Sequence, residues 1–397
     1  MITIINSLAF AAALAVFVIL LLYTLRRLLF TLTLLVPQLS IPDPASLPSV
    51  LLTIPARDES ASLPSLFSAL DALDYPRDLL QIVLIDDGST DSTAELMASA
   101  AASRPNWSVL NLSTNVGKAQ ALNLALAGHT FGDIVYIFDV DHHPNPDCLR
   151  LAVAVFADPR VAGVSGRTIA ANALASPPAF YAAVESVVHQ LITVRGKDVL
   201  RLGPALLGSN NGYRRSALAE VGGFRSGALL EDSDLTLSLH RAGFIVRFIP
   251  MAISAHHVPV TLGGYIRQHL RWGRGFNEVA RAHLGSLIAD NRLSLPVRVE
   301  LAVFSLGYLD RLALLAAIAL AAVGIARPLM TWSIGVSLAV PFLQIIAALA
   351  FDRAPLAVWL RLPWVPLLSV CDAFVAVWAA ASTVLNLPRV WHKTERA

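Results

Sequence analysis

Residues 80–89 read LQIVLIDDGS, and residues 134–142 read IVYIFDVDH. Each is a short, unbroken apolar run that stops at paired carboxylates: Asp86-Asp87 in the first, Asp139-x-Asp141 in the second. An apolar run without alternation, too short for a stable helix, is the pattern of a strand covered on both faces. Working outward, Val50–Pro55 and Trp107–Leu112 read as strands too, and helix-period stretches fall at about 62–73, 92–103, 117–128 and 146–157. Strand–helix alternation of this kind predicts an α/β fold with a doubly wound, mostly parallel sheet. Ligands of such sheets sit beyond the carboxyl ends of the strands. That is where the carboxylates gather: Pro55-Ala56-Arg57-Asp58-Glu59 after the first strand, Asp86-Asp87-Gly88-Ser89 after the second and Asp139-Val140-Asp141-His142 after the fourth.

Outside this segment the composition changes. The 397 residues are 55% hydrophobic and 15% charged, with a mean hydropathy of +0.61, whereas soluble chains carry roughly 25% charged residues. No acidic residue precedes Asp43, and only Glu300, Asp310, Asp352, Asp372 and Glu395 follow residue 295. The pattern is a water-soluble domain held between membrane segments. A net charge of +2 gives no footprint for nucleic acid. Two cysteines, Cys148 and Cys371, make no disulfide framework.

Ile2 to Leu25 is free of charge and long enough to cross a bilayer, and no basic residue precedes it as in a cleaved leader. Arg26 and Arg27 follow it, which places the soluble domain on the cytoplasmic side. Three further apolar runs lie at about 301–326 (interrupted by Asp310-Arg311), 328–351 and 364–387. Asp310, Arg311 and Asp372 are costly in lipid and are expected to face protein or water. Three full spans would leave the basic tail (Arg389, Lys393, Arg396) outside, so a re-entrant or short crossing near 354–370 is expected to return it to the cytoplasm. The expected divisions are 1–42, a membrane anchor and linker; 43–260, the cytoplasmic catalytic domain; 261–295, an amphipathic interfacial segment; and 296–397, membrane helices with a short basic tail.

Acidic residues at three strand ends repel one another unless a cation or hydrogen-bond donors share the site. Neither GxxxxGK[ST] nor, after the first strand, GxGxxG occurs, so ATPase-like and dinucleotide redox chemistry are excluded. Asp139-x-Asp141 suits a nucleotide site in which one carboxylate meets a ribose and the other holds Mg²⁺ or Mn²⁺ against a diphosphate. Asp232 stands at the start of a helix over 232–242, where an N-cap is the plain alternative to a chemical role. The stretch 262–283 is amphipathic and basic, 178–194 is a second amphipathic candidate, and Gly208-Ser209-Asn210-Asn211-Gly212 reads either as a wall of the ligand site or as a turn.

Taken in order, the motifs Pro55-x-x-x-Glu59, Ile85-Asp86-Asp87-Gly88-Ser89, Gly117-Lys118-Ala119-x-Ala121-Leu122-Asn123, Asp139-x-Asp141, Glu231-Asp232 and Gln268-x-x-Arg271-Trp272 resemble a family 2 inverting glycosyltransferase of GT-A fold. The last motif resembles the membrane-embedded branch with cellulose, hyaluronan and poly-N-acetylglucosamine synthases and lipid glycosyltransferases. The resemblance implies a UDP-sugar donor, with Pro55, Glu59, Asp87 and Lys118 around the uridine and Asp139 on the nucleotide. It implies Mg²⁺ or Mn²⁺ on Asp141, with His256 or His257 a candidate further ligand. Asp232 is then the general base, and Glu231, Gln268, Arg271 and Trp272 border the acceptor and diphosphate. The partners implied are a glycan or lipid acceptor and the bilayer. Asp58 departs from the pattern, where Asn is more usual, and adds a charge near the nucleotide. A nucleotidyltransferase is the competing reading, since it also uses paired carboxylates and metal.

Overall fold

The computed structural model describes residues 2–37 and 46–387. The chain starts with the long helix α1 (Ile2–Leu32). It then alternates β1 (Val50–Ala56), α2 (Leu63–Asp71), β2 (Leu80–Asp87), α3 (Thr93–Ala102), β3 (Trp107–Leu112), α4 (Lys118–Gly128) and β4 (Ile134–Ile137). After the two-residue β5 (His143–Pro144) come α5 (Cys148–Val153), β6 (Val161–Ala170), α6 (Pro177–Val188), a π-helical turn His189–Val194, and α7 (Arg195–Val199). The sheet is completed by β7 (Asn211–Arg214), with α8 (Arg215–Glu220) and α9 (Glu231–Arg241) behind it, and by β8 (Ile245–His256).

The eight strands form one sheet in the order β3-β2-β1-β4-β7-β6-β8-β5. β3, β2, β1 and β4 are parallel neighbours, as are β6 and β8. β7 runs antiparallel to both β4 and β6, and β5 antiparallel to β8. The reversal follows from the connection: the chain leaves the carboxyl end of β6, makes its excursion through α6 and α7, and re-enters as β7 beside the end it left, Ser165 opposite Asn211. The parallel half is wound on both faces. Val50, Leu52, Ile54, Ile82 and Leu84 pack with Leu63, Phe67, Met97 and Leu149 from α2, α3 and α5. The alternate residues Leu51, Val83 and Ile85 pack with Ala121, Leu122, Leu235 and Leu239 from α4 and α9. Each such aliphatic side chain contributes about 1.5–3 kcal/mol on burial.

Beyond the sheet lie α10 (Leu262–Ala289), α11 (Leu295–Ser305), α12 (Leu309–Ala322), α13 (Arg327–Phe351), the one-turn α14 (Leu356–Trp359) and α15 (Trp364–Val384). α1, α13 and α15 are each long and apolar enough to cross a membrane. The interrupted run near 301–326 is a helix pair, α11 and α12, bent by 72°. Counting that pair as one span gives four among the described residues. The expected extra crossing near 354–370 is, in the structure, α14 followed by the start of α15; the basic tail lies outside the described residues. Arg26 and Arg27 do not follow α1 but sit inside it, because acidic partners on other helices meet them: Arg26 binds Glu300 through Nε and Nη2 at 2.7 Å each, and Arg27 binds Asp310.

The sheet is fastened to these helices through polar contacts. Lys197 on α7 reaches Glu300 at 2.9 Å and lies over the Phe304 ring. Arg195 donates to the carbonyls of Thr33 and Val36 at 2.7 Å each, and Arg167 pairs with Asp352 at 2.7 Å. The amphipathic helix expected over 262–283 extends to Ala289 and packs along α11 and α15 rather than standing alone.

Candidate functional site

A cavity of about 1650 Å³ begins at the carboxyl ends of β1, β2 and β4 and continues between the apolar helices. Its strand end is lined by Pro55, Arg57, Glu59, Asp87, Lys118, Asp139 and Asp141. Glu231 and Asp232 from α9 and Gln268, Arg271 and Trp272 from α10 face the same space. The spacing of those three α10 residues puts them on one helix face. All the residues given a binding, metal or catalytic role in the sequence, except His257, therefore meet at one cavity, while Asp58 and Asp86 do not line it.

At β2 the two aspartates divide their work. Asp86 accepts the Ser89 N–H at 3.2 Å and shapes the turn. Asp87 lines the cavity and accepts the N–H groups of Val116 (2.7 Å) and Gly117 (2.9 Å), which orders the loop leading into α4. Asp58 turns away from the cavity. Its Oδ1 accepts the Thr90 N–H at 2.7 Å and its own N–H donates to Ser89 Oγ at 2.9 Å, so it ties the β1 and β2 loops together. The Thr90 hydrogen bond holds its carboxyl below the ordinary aspartate range. The extra charge in the sequence is thus absorbed by a loop staple rather than aimed at a ligand.

Lys118 sits among carboxylates. Its ammonium meets Asp139 Oδ1 at 2.8 Å and Glu231 Oε1 at 3.1 Å, and donates to the Gly208 carbonyl at 2.7 Å. These contacts engage all three of its N–H groups. Burial pulls its pKa down, but Asp139 and Glu231 outweigh that and the net shift is upward. The lysine adjoins Asp87 in space through Gly117, yet its charge is spent joining Asp139 to Glu231.

Asp232 is half-buried in the first turn of α9, where the Ser233 N–H donates to its Oδ1 at 2.7 Å. Burial first, and the neighbouring Glu231 second, push its carboxyl up to about 7. Gly208 approaches this carboxylate so closely that a Cβ on it would lie 3.2 Å from Asp232 Oδ2, and its φ of +83° is one that favours glycine. The 208–212 stretch divides accordingly. Gly208 and Ser209 line the cavity, Ser209 Oγ accepting the Asp139 N–H at 2.8 Å. Asn210 is fully buried and bonds to Tyr136, Arg167 and Ala252, a structural knot.

On the far side of Asp139, the ligand atoms of Asp141, His142 and His256 lie within 4.8 Å of one another. β8 delivers His256 and the turn after β4 delivers the other two, because β5 pairs with β8. The imidazoles stack with centroids 5.0 Å apart, and His142 Nδ1 is 3.2 Å from Ser254 Oγ. A carboxylate with two oriented imidazoles can hold a transition ion; imidazole suits Mn²⁺ less than carboxylate does, and hard, oxygen-seeking Mg²⁺ less still. His257 stands outside this trio, and His143 contacts Ser65 at 2.9 Å. His142 was missed in the sequence; its position directly after Asp141 was the available signal.

Residues 134–376 match the model described as glycosyl transferase family group 2. The chain belongs to that family. It is 32% identical over 200 residues to the β-monoglucosyldiacylglycerol synthase of Synechocystis sp., covering 49% of this chain and 40% of that protein. It is 26% identical over 249 residues to the poly-β-1,6-N-acetyl-D-glucosamine synthase of Staphylococcus aureus, covering 60% and 57%. The chain thus spans about half the length of the curated relatives it matches. A mannosyltransferase from Pyrobaculum calidifontis, solved with GDP-mannose and Mn²⁺, superposes over 96% of this chain and 99% of its own at a TM-score of 0.64 and 23% identity, a likeness of fold. This member of the family combines an α/β sheet of eight strands with flanking helices of membrane-spanning character.

Deeper in the cavity are side chains that motif reading did not select. Tyr265 Oη stands between two carboxylates, 2.7 Å from Glu185 and 2.8 Å from Asp372, and its single proton serves one of them; Glu185 also lies 3.2 Å from His269 Nε2, and Asp372 accepts from Tyr181 Oη at 2.9 Å. They come from α6, α10 and α15, too far apart in sequence for spacing to reveal them.

Proposed function

We propose that this membrane glycosyltransferase transfers a sugar from a UDP-sugar, with inversion, to a growing polysaccharide or another membrane acceptor, single transfer to a lipid being the alternative product. The observation that carries the reading is the cavity itself, which joins the strand-end carboxylates, Asp232 and the Gln268–Trp272 face to the apolar helices. In this reading Pro55, Glu59, Asp87 and Asp139 line the nucleotide site, and the catalytic domain, residues 43–260, faces the cytoplasm.

Inversion is one displacement. The acceptor O–H gives its proton to the Asp232 carboxylate as its oxygen bonds to the anomeric carbon, and the bond from that carbon to the diphosphate oxygen breaks. A carboxyl poised near 7 suits a base that must be ionised yet able to take a proton. Arg271, with a planar fork matched to phosphate, stabilises the departing UDP, and Trp272 offers an indole face to a sugar. Asp141, His142 and His256 would hold Mg²⁺ or Mn²⁺, which when bound supplies positive charge to the diphosphate. Lys118 fixes Asp139 and Glu231 relative to the base.

The test uses membranes containing the protein, Mg²⁺ or Mn²⁺, and a panel of radiolabelled UDP-sugars with GDP-mannose included. Incorporation that disappears in Asp232→Asn supports the reading. Incorporation from GDP-mannose alone would replace the donor class, and release of pyrophosphate would replace the reaction by nucleotidyl transfer.

A further inference from the structure

The membrane-facing half of the cavity is walled by charges that are already matched. Arg26 is held by Glu300 in a two-point contact, and Arg27 by Asp310. Arg311 meets Asp310 at 3.2 Å and Asp372 at 3.4 Å, and His269 meets Glu185 at 3.2 Å. His189 also lines this half; burial, with Lys197 and Arg26 nearby, lowers its pKa to about 4 and leaves it neutral. Toward the base, Asp139, Glu231 and Asp232 surround one lysine whose donors are all engaged. With Arg271 engaged by the departing diphosphate in the reading above, a lipid phosphate arriving here would have to take a cation from an existing pair and strand a buried carboxylate. An uncharged hydroxyl needs only a hydrogen-bond partner and a base.

The walls beyond the charged girdle are apolar. Ile318 on α12, Leu338 and Phe342 on α13 and Val370 on α15 line the cavity, and all four side chains are exposed rather than packed over. The cavity therefore reaches the apolar face of the bundle. A glycan passing this surface would leave hydroxyls without partners, whereas acyl chains lose nothing there.

Resting on the glycosyltransferase reading above, we propose that the acceptor is an uncharged lipid alcohol that enters from the bilayer between α12, α13 and α15, its chains against Ile318, Leu338, Phe342 and Val370 and its hydroxyl directed to Asp232. The lipid hydroxyl proton passes to Asp232, the new glycosidic bond forms to the lipid oxygen, and the nucleoside diphosphate leaves with the electrons of the broken bond.

The experiment reconstitutes the full chain in phosphatidylcholine vesicles with labelled UDP-glucose, UDP-galactose and UDP-N-acetylglucosamine. Dioleoylglycerol, a polyprenyl phosphate or a soluble oligosaccharide is supplied in turn, and donor hydrolysis by water is recorded alongside. Label entering dioleoylglycerol about a hundredfold faster than polyprenyl phosphate is the expected result. Preferred transfer to the phosphate, to the oligosaccharide or into a polymer overturns the proposal while leaving the glycosyltransferase reading standing. Donor hydrolysis without transfer to any acceptor also overturns the proposal alone. Neither hydrolysis nor transfer from any donor overturns both. Leu338→Trp, at an exposed cavity-lining position, is expected to raise the KM for dioleoylglycerol several-fold while the donor KM stays put; an unchanged acceptor KM removes the lipid from this route.

Discussion

The two ends of the cavity handle charge in opposite ways. At the strand end, carboxylates outnumber cations: Asp87, Asp139, Asp141, Glu231 and Asp232 share Lys118 and the nearby arginines. At the helix end, Arg26, Arg27, Arg311 and Lys197 are matched against Glu300, Asp310 and Asp372. Excess of one sign is a binding and proton-transfer device, because it shifts proton affinities and attracts cations. Balance in a low-dielectric place is a fastening device, because each charge is expensive without its mate.

Removing one carboxylate from each end separates the two roles. Asp232→Asn is expected to lower the transfer rate by about 10²–10⁴-fold with donor binding retained; wild-type turnover would show that the excess-charge end holds a different base. Glu300→Gln strands Lys197 and Arg26 and is expected to cost about 3–5 kcal/mol of stability, read as a large fall in Tm in detergent. A Tm near wild type would mean that the balanced end is not a fastening.

Smaller effects sharpen the contrast. His256→Ala is expected to weaken Mn²⁺-dependent donor binding by about 10–100-fold, while His257→Ala leaves it near wild type; equal effects would dissolve the Asp141–His142–His256 trio. The pH profile gives the mildest test. In its proposed role Asp232 acts ionised, and its carboxyl is pushed up to about 7, so the rate is expected to rise as pH climbs through that value. Glu231 is one of the two causes of that elevation. Glu231→Gln therefore moves the inflection downward, and an inflection that stays fixed would assign the titration to another group.

Much of this was legible in the sequence, and the illegible parts have physical causes. β1, β2 and β4 were readable because parallel strands buried on both faces are continuous apolar runs, and β3, at the sheet edge with only Trp107 buried, from its short apolar-rich run. β6 and β8 were not: Gly166 interrupts β6 because a Cβ there would collide with Asn210, and β8 carries Arg247 and Pro250. β7, with two polar residues and a glycine in its four, has no strand signature; Gly212 is needed because the Tyr136 ring lies against it. Glu59, Asp87, Asp139 and Asp141 could be found because they lie at the carboxyl ends of strands, and Glu231 and Asp232 because they open a helix in the expected motif order. Asp310, Arg311 and Asp372 were expected to face protein or water, and they do face protein. Their partners Arg27, Tyr181 and Tyr265 sit on separate elements, and only packing brings them together.

Gly273 lies on the helix that carries Gln268, Arg271 and Trp272, and a Cβ there would stand 2.7 Å from that of Ala379 on α15. The two helices touch almost backbone to backbone at this point. One added methyl group acts as a wedge: it must tilt α10, and the tilt is delivered at the cavity, one turn away. Reacting groups tolerate a misplacement of only about half an ångström. A position that lines no part of the cavity thereby sets the aim of the three residues placed in the proposed acceptor and diphosphate site, and the apolar helix α15 becomes the gunsight of the cavity at the sheet.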